Sequence, residues 1–595
     1  MGSPYQRTMT VPRRWPVMVV LALIVLFLLQ KLDFLHFIPS LPDNVQSTPY
    51  TPEQSVDDDR FHWKKLPLRY PVSSYAHLPK SNAKLPQVQH AFGHESTEEA
   101  TIRQKRQKEV KRVLQRCWSS YREHAWLSDE LAPVTGSKKD TFGGWAATLA
   151  DTLDTLWIAD LKDEFHDGVE ALLDIDFTKI SQGEINVFET TIRYLGGFIA
   201  AFDLSGDRRL LDKAIEVAEM LYIAFDTPNR MPITRWNVKD AAAGKPQLAG
   251  EGVLVAEIGS LSLEFTRLAQ ITRNDKWYDC IDRIMQVFDR QQGSSNIPGM
   301  WPLVVNARTQ DFASGDHFTL AAMADSLYEY LPKMYALLGG SSMYAKMYED
   351  AMSTAIQETV FKPMVPDNAD ILLSGNARSD RRGESQLQPQ GQHLVCYAGG
   401  MLALGGRLLK NETHIELGRK LTDGCIWTYE ATPLGIMPEV FDMMPCGLGS
   451  KCPWDEAKWK SSVLEKASQD SGADASEVIK HERLPPGFTS ISDRRYILRP
   501  EAIESVFLLY RITGDPLLQE KAWQMFTNIS KYTETEFANA ALRDVTDPSA
   551  PKDDSMESFW TAETLKYFYL IFSEPDLISL DKFVFNTEAH PFRRP

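Results

Sequence analysis

The chain has 595 residues, of which 43% are hydrophobic and 10% aromatic, enough apolar mass for one large globular domain or several ordinary ones. Its 80 acids against 64 bases leave a formal net charge of −16, which excludes nucleic acid as a partner, because a phosphate backbone selects a basic excess. Neutral or cationic partners fit this balance.

The first predicted element is an apolar run, WPVMVVLALIVLFLL at 15–29, extended by QKLDFLHFI and preceded by Arg7, Arg13 and Arg14 in a tail without acids. Such a run crosses a bilayer, and the arginines hold residues 1–14 on the cytosolic side. A cleaved signal peptide is the alternative, but no A-x-A-like site follows, so 15–37 reads as an uncleaved signal anchor that leaves the remainder lumenal. Two sequons, at Asn411 and Asn528, and six cysteines agree with an oxidising compartment. Spacing does not give the cysteine connectivity. Cys446 and Cys452 are close enough to close a small loop, Cys396 and Cys425 fall in neighbouring helical segments, and the state of Cys117 and Cys280 stays open.

Residues 38–105 are rich in Pro, Ser, Asp and His without sustained periodicity and read as a flexible stem. The basic run RQKRQKEVKR at 103–112 begins the first helix with a solvated face. From 106 to 595 helix patterns dominate, and segments apolar most of the way round, such as WAATLADTLDTLWIADL and PEAIESVFLLYRITGD, alternate with amphipathic ones such as KWYDCIDRIMQVFDRQ. The unit of apolar helix, short Gly/Asp/Asn turn and amphipathic helix recurs, and Glu189, Glu257, Asp325 and His393 lie 68 residues apart; Glu501 and Glu563 continue the series beyond an insert at 444–486. A repeated helix hairpin must stack or close on itself. Closure of about seven such units gives an all-α barrel of inner helices ringed by outer ones, with these polar residues converging on its axis.

Several stretches carry chemistry. In NVFETTIRYLGG (186–197), Glu189 and Arg193 sit at i and i+4 on a helix otherwise apolar, where burying an ion pair costs several kcal/mol per ion unless geometry offsets it. YILRPEAIES (496–505) sets Arg499, Glu501 and Glu504 around Pro500 at a helix start, which the macrodipole favours. DSMESFWTAETLKY (554–567) offers Glu557 and Glu563 beside Phe559 and Trp560, acids next to aromatic faces as sugars require. VFNTEAHP (584–591) contains Thr587, whose hydroxyl and carbonyl can both meet a hard cation while carboxylates hold its waters. There is no zinc spacing, phosphate-cradling glycine loop or nucleophile elbow.

Taken together, GGWAATLADTLDTLWI, NVFETTIRYLGG, ADSLYEYLPK, HLVCYAGGMLALG, LRPEAIES, SMESFWTAETLKY and VFNTEAHP closely resemble the class I α-1,2-mannosidases of glycoside hydrolase family 47, over roughly 106–595. The resemblance implies an (α/α)7 barrel, a calcium ion at its core and inverting hydrolysis of terminal α-1,2-linked mannose on Man9-type, high-mannose N-glycans. Glu189 then resembles the general acid with Arg193 supporting it, Asp325 and Glu501 resemble the two candidate general bases, and Glu439 matches a further acid often assigned to the site. Glu257, His393, Arg499, Phe559, Glu563 and Glu588 match positions lining the mannose and calcium pocket. Thr587 matches the direct calcium ligand, with Glu504, Glu563 and Glu588 around it, and Cys396–Cys425 matches the shared disulfide. Inversion needs an acid and a base about 6.5–9.5 Å apart across a cavity, which acids from different helices can supply.

One departure stands out. The strict endoplasmic-reticulum type carries an Arg two residues before the Asp of the ADS motif, where this chain has Met323, and that leans toward the broader type that removes several mannoses. The expected placement is a single-pass type II protein of the endoplasmic reticulum or Golgi membrane, acting as a monomer. A second reading is a lectin-like protein that binds mannose glycans with little turnover.

Overall fold

The computed structural model describes residues 61–80, 84–380, 384–467 and 474–595; the expected cytosolic tail 1–14, signal anchor 15–37 and stem residues 38–60 lie outside them. Among the described residues no helix is long and apolar enough to cross a membrane.

Helices follow one another in buried and half-buried pairs. The first, α1 (Thr97–His124), opens on a capping box: the Ser96 hydroxyl accepts from the Glu99 N–H, and the Glu99 carboxylate accepts from the Ser96 N–H at 2.8 Å. Next come α2 (Ala147–Ile158), enclosed on nearly every side, and α3 (Lys162–Leu172), which buries only a Phe165, Gly168, Val169, Leu172 stripe. The following inner helix, α4, runs through Val187–Thr190, a π turn at Thr191–Leu195 and Gly196–Ser205, and its outer partner is α5 (Arg208–Ile223). The alternation repeats in α6 (Val255–Gly259 and, after a break, Ser262–Thr272) with α7 (Asp275–Gln291), in α8 (Asp325–Leu337) with α9 (Ser342–Glu358), and in α10 (Tyr397–Leu409) with α11 (Glu412–Ala431). The insert contributes α12 (Glu456–Lys466) and α13 (Ala475–His481). Then α14 (Glu501–Thr513) and α15 (Leu517–Thr533) restore the pattern, and α16 joins a π turn at Trp560–Thr564 to Leu565–Ile571.

The inner helices α2, α4, α6, α8, α10, α14 and α16 each pack on the next, and α16 returns to α2 and is covered by α1, so the ring closes. Close approach is met by glycine where α10 is crowded from two sides: a Cβ at Gly399 would lie 2.9 Å from the Gly418 carbonyl, and one at Gly400 3.1 Å from Ser505 Cα. The Cys396–Cys425 disulfide ties the α10 entrance to α11, and Cys446–Cys452 closes a loop in the insert. Cys117 and Cys280 are buried free thiols.

Short antiparallel ladders gather where the inner helices begin. Ile185–Asn186 pairs with Arg235–Trp236 just ahead of α4, Val253–Leu254 pairs with Val304–Val305 just ahead of α6, and Gln390–Gln392, Val440–Met443 and Phe488–Asp493 form a three-stranded sheet ahead of α10 and α14. They fix the inner helix N-termini at one end of the ring, and there the acids sit.

Two expectations are corrected. The described part of the stem is not a free linker but a strap on the body: the Arg69 and Tyr70 N–H groups donate to Asp226 at 2.7 and 2.8 Å, Ala76 to Asp279 at 2.8 Å, Leu78 to Asp275 at 3.1 Å and Val88 to Asp581 at 2.6 Å. The folded body therefore begins well before residue 106, with Trp63 buried against Trp236 and α1 starting at Thr97. The basic run is also less solvated than expected, because Arg103 is buried in a cage of Glu95, Glu574 and the Phe572 carbonyl.

Candidate active site

Asn186 caps α4, its side-chain oxygen accepting from the Phe188 and Glu189 N–H groups at 2.9 and 3.3 Å, while its amide donates to Glu257 Oε1 at 2.9 Å. Arg235 reaches the same oxygen at 2.6 Å. One cap thus sets the first turns of two neighbouring inner helices. Within α4 the Arg193 guanidinium lies 3.1 Å from Glu189 Oε2, donates to Ser558 Oγ at 2.6 Å, sits 3.7 Å from Asp151 and stacks 3.5 Å above the Phe142 ring. Both partners are enclosed, Arg193 at 0% and Glu189 at 2% exposure. Burial pushes the Glu189 carboxyl up to about 8, the Glu257 charge adding to the rise and Arg193 and Arg235 opposing it.

Across the ring a second carboxyl is treated in the opposite way. Glu501, first residue of α14, accepts from His393 Nδ1 at 2.8 Å, and the far ring nitrogen of His393 meets the Tyr429 hydroxyl at 2.7 Å. Arg499 lies 3.6 Å from Glu501 and is itself gripped by Glu439, which accepts from Arg499 Nε at 2.5 Å and from the Ile497 N–H at 3.2 Å. Both Glu439 oxygens are engaged, so Glu439 positions Arg499. Burial raises the Glu501 carboxyl, but the His393 hydrogen bond and the Arg499 charge outweigh it and hold Glu501 below its ordinary value. Asp325, first residue of α8, is pushed up to about 7 by burial, with the Glu329 and Glu501 charges adding to it against its 2.9 Å bond from the Ser326 N–H.

Between the two lies a floor of acids. Glu504, Glu563 and Glu588 are all buried, and all are raised well above the ordinary carboxyl range: burial acts first, then Glu329 and Glu501 on Glu504, Glu501 and Glu504 on Glu563, and Glu563, Asp151 and Glu189 on Glu588. Mutual repulsion of this kind links Glu189 to Glu588, Glu563, Glu501 and Asp325, so these residues lie near one another at this end of the ring. Lys333 contacts Glu329, lies 3.4 Å from Glu504 and donates to the Asn586 carbonyl at 3.1 Å. Asn586 shapes the 586–590 turn by accepting from the Glu588 N–H at 3.0 Å, beside a left-handed Ala589, and leaves Thr587 half-exposed at the tip.

Among the described residues no three His, Cys, Asp or Glu side chains converge as direct metal ligands. The donor set still fits a hard divalent cation. Thr587 offers a hydroxyl and a carbonyl, and neither Glu588 oxygen accepts a hydrogen bond although both are enclosed, an arrangement costly unless a cation or its water shell occupies the space.

Of the residues expected in the pocket, the contacts and charges above link Glu189, Arg193, Glu257, Asp325, His393, Glu439, Arg499, Glu501, Glu504, Glu563 and Glu588; Thr587 adjoins Glu588, Phe559 is enclosed at the start of α16, and Asn411 and Asn528 lie on outer helices. Asn411 caps α11, and Asn528 sits inside α15 with its amide against Gly435. Sequence reasoning missed Asp151, fully buried beside Arg193 and pushed by burial up to about 7, and Glu130, buried ahead of α2. The signal was Asp151 and Asp154 inside the apolar LADTLDTL. Asp154 proves to be held by Lys566 at 2.6 Å and by His590.

Several known proteins are similar to this chain. The α-1,2-mannosidase from Trichoderma reesei is 30% identical and superposes with a TM-score of 0.71 over 83% of this chain and 99% of that one. Mannosyl-oligosaccharide alpha-1,2-mannosidase IA of Spodoptera frugiperda is 32% identical over 491 residues, 81% of this chain and 66% of that protein. Mannosyl-oligosaccharide 1,2-alpha-mannosidase IB of Homo sapiens is 33% identical over 504 residues, 83% of this chain and 70% of that protein. The model of glycosyl hydrolase family 47 matches residues 113–594, which takes in the second half of α1 and every later helix, and the chain belongs to that family.

Proposed function

We propose that this chain is an inverting, calcium-dependent exo-α-1,2-mannosidase that trims terminal α-1,2-linked mannose from high-mannose N-glycans. The observation that carries the reading is the opposed treatment of two buried carboxyls at one end of the ring, Glu189 paired with Arg193 and raised to about 8 and Glu501 held low by His393 and Arg499. Glu189, protonated at neutral pH, gives its proton to the leaving glycosidic oxygen. Glu501, ionised, takes a proton from the water that attacks C1 from the opposite face, so the C1–oxygen bond breaks and mannose leaves with inverted configuration. Asp325, at about 7, is only partly ionised at neutral pH where Glu501 is fully ionised, and suits a hydroxyl contact. Thr587 would hold calcium, with Glu504, Glu563 and Glu588 accepting from its waters, and the bound ion would supply positive charge for sugar hydroxyls.

The test is to incubate residues 61–595 with Man9 glycan and calcium and to follow free mannose by NMR. β-Mannose released first is expected; glycan binding without release would replace this reading with the lectin-like one. Glu501→Gln should lower turnover by about three orders of magnitude or more while sparing glycan binding, and full activity in that variant would remove Glu501 as the base. Thr587→Ala should weaken calcium affinity in a calorimetric titration. Residence in the endoplasmic reticulum or Golgi membrane, with residues 15–37 as anchor, belongs to the same proposal, and protease protection of the body in sealed microsomes checks it.

A further inference from the structure

The turn that carries Thr587 is closed by its own ends and anchored from both sides. Asn586 donates its N–H to the His590 carbonyl at 3.0 Å, and the Asn586 side-chain oxygen accepts from the Glu588 and His590 N–H groups at 3.0 and 3.3 Å. Thr587, Glu588 and Ala589 therefore form its tip. At the Asn586 end, the side-chain amide donates to Glu264 at 3.0 Å, the same Glu264 oxygen accepts from the Tyr330 hydroxyl at 2.6 Å, and Lys333 donates to the Asn586 carbonyl at 3.1 Å. Helices α6 and α8 hold that end.

The His590 end is held by a buried charge. Lys566, on α16, donates to Asp154 Oδ2 of α2 and to His590 Nδ1, each at 2.6 Å. Asp154, Lys566 and His590 are all at 0% exposure. An ammonium can only donate, so His590 Nδ1 accepts and the ring proton sits on Nε2, which is enclosed and bonds nothing. The ring is thus gripped through Nδ1. Apolar residues of similar volume would stabilise this core at least as well as a buried ion pair, so what the charge adds is direction: it ties the turn to two inner helices at one point. Glu563 lies one turn earlier on α16, and Asp151, beside Arg193, one turn earlier on α2.

We propose that Lys566 and His590 are positioning residues for the calcium site, the Lys566 ammonium, fixed by Asp154, gripping the His590 ring so that the 586–590 turn keeps Thr587 in its ion-binding position. A turn free to shift spends only part of its time in that position, and apparent affinity falls by that fraction. Metal sites lose affinity in this way when groups behind their ligands are removed. The inference rests on the calcium reading above and adds to it the groups that act through Thr587 without touching the ion.

The experiment is a calorimetric calcium titration of the full chain after chelator treatment, with thermal unfolding of the chelated protein as a check on folding. His590→Leu leaves the Lys566–Asp154 pair intact and removes only the grip; its calcium Kd should rise by about 10- to 100-fold, with the chelated Tm within about 4 °C of the wild type. His590→Asn, whose side-chain oxygen takes the place of Nδ1, should keep Kd within about threefold of the wild type. The double variant Asp154→Asn/Lys566→Met removes both charges at nearly constant volume, so it should fold and yet lose calcium affinity as His590→Leu does; it decides the matter if His590→Leu does not fold. In both weakened variants mannose release should return as calcium is raised to excess. Unchanged Kd in His590→Leu and the double variant, or equal losses in His590→Leu and His590→Asn, would overturn the role. A wild-type chain that takes up no calcium would instead end the calcium reading.

Discussion

Arg193 shows how much one side chain can be asked to hold. It is fully enclosed, faces Glu189, Asp151 and Ser558 at once and lies on the Phe142 ring, so its charge restrains the carboxyl that burial would otherwise raise still further. Activity needs Glu189 protonated and Glu501 ionised, which places the alkaline limb of kcat/KM near pH 8 and the acidic limb below the ordinary glutamate range. Glu189→Gln should abolish mannose release yet keep stability within about 1 kcal/mol in urea unfolding, because the native carboxyl is already mostly neutral at pH 7. The Glu189 and Arg193 pair was legible in the sequence as two charges one turn apart on an apolar helix. The place of Asp151 was not, since what makes it informative is Arg193, brought near only by closure of the ring.

At the scale of elements, the strap explains why composition misread residues 61–96. A polar, proline-rich segment has no periodicity to betray it, and its order comes from backbone N–H groups received by Asp226, Asp275, Asp279 and Asp581 on the body. Asp279→Ala should cost about 1–3 kcal/mol, because it strands the Ala76 N–H and frees Arg283, which Asp279 also holds at 2.9 Å; urea unfolding checks it, and limited proteolysis should then cut near residue 76. Replacing both Cys396 and Cys425 by Ser should lower stability by about 2–4 kcal/mol in the same assay. Helix identity was plain from the sequence because the inner helices are apolar on several sides and the outer ones on a stripe. The two π turns, at Thr191–Leu195 and Trp560–Thr564, were invisible to a 3.6-residue period, and both fall beside site residues.

For the molecule as a whole, the acids at the hollow make stability fall as pH rises. Glu189, Asp151 and Asp325 have folded values near 8, 7 and 7, above their ordinary ones, so the native state binds more protons than the unfolded chain between about pH 4 and 8. Chelator-treated protein should accordingly melt about 5 °C higher at pH 5.5 than at pH 8, and differential scanning calorimetry reads that directly. The repeat of helix hairpins and their equal spacing made the ring legible. Which end carries the acids was not, because the strands that fix the helix starts run for only two to six residues.

The ring is sealed by its extremes: Gln107 of α1 bonds Ser573 just beyond α16 at 2.8 Å, across 466 residues of chain, and Ser558 completes the shell around Arg193 from 365 residues away. A chain emerging from the ribosome therefore synthesises its first hairpins long before their last neighbour exists, and their sticky flanks must wait. Such a body suits chaperone-assisted folding, and shortening it at the carboxyl end would leave the earliest helices, as well as α14, without a partner.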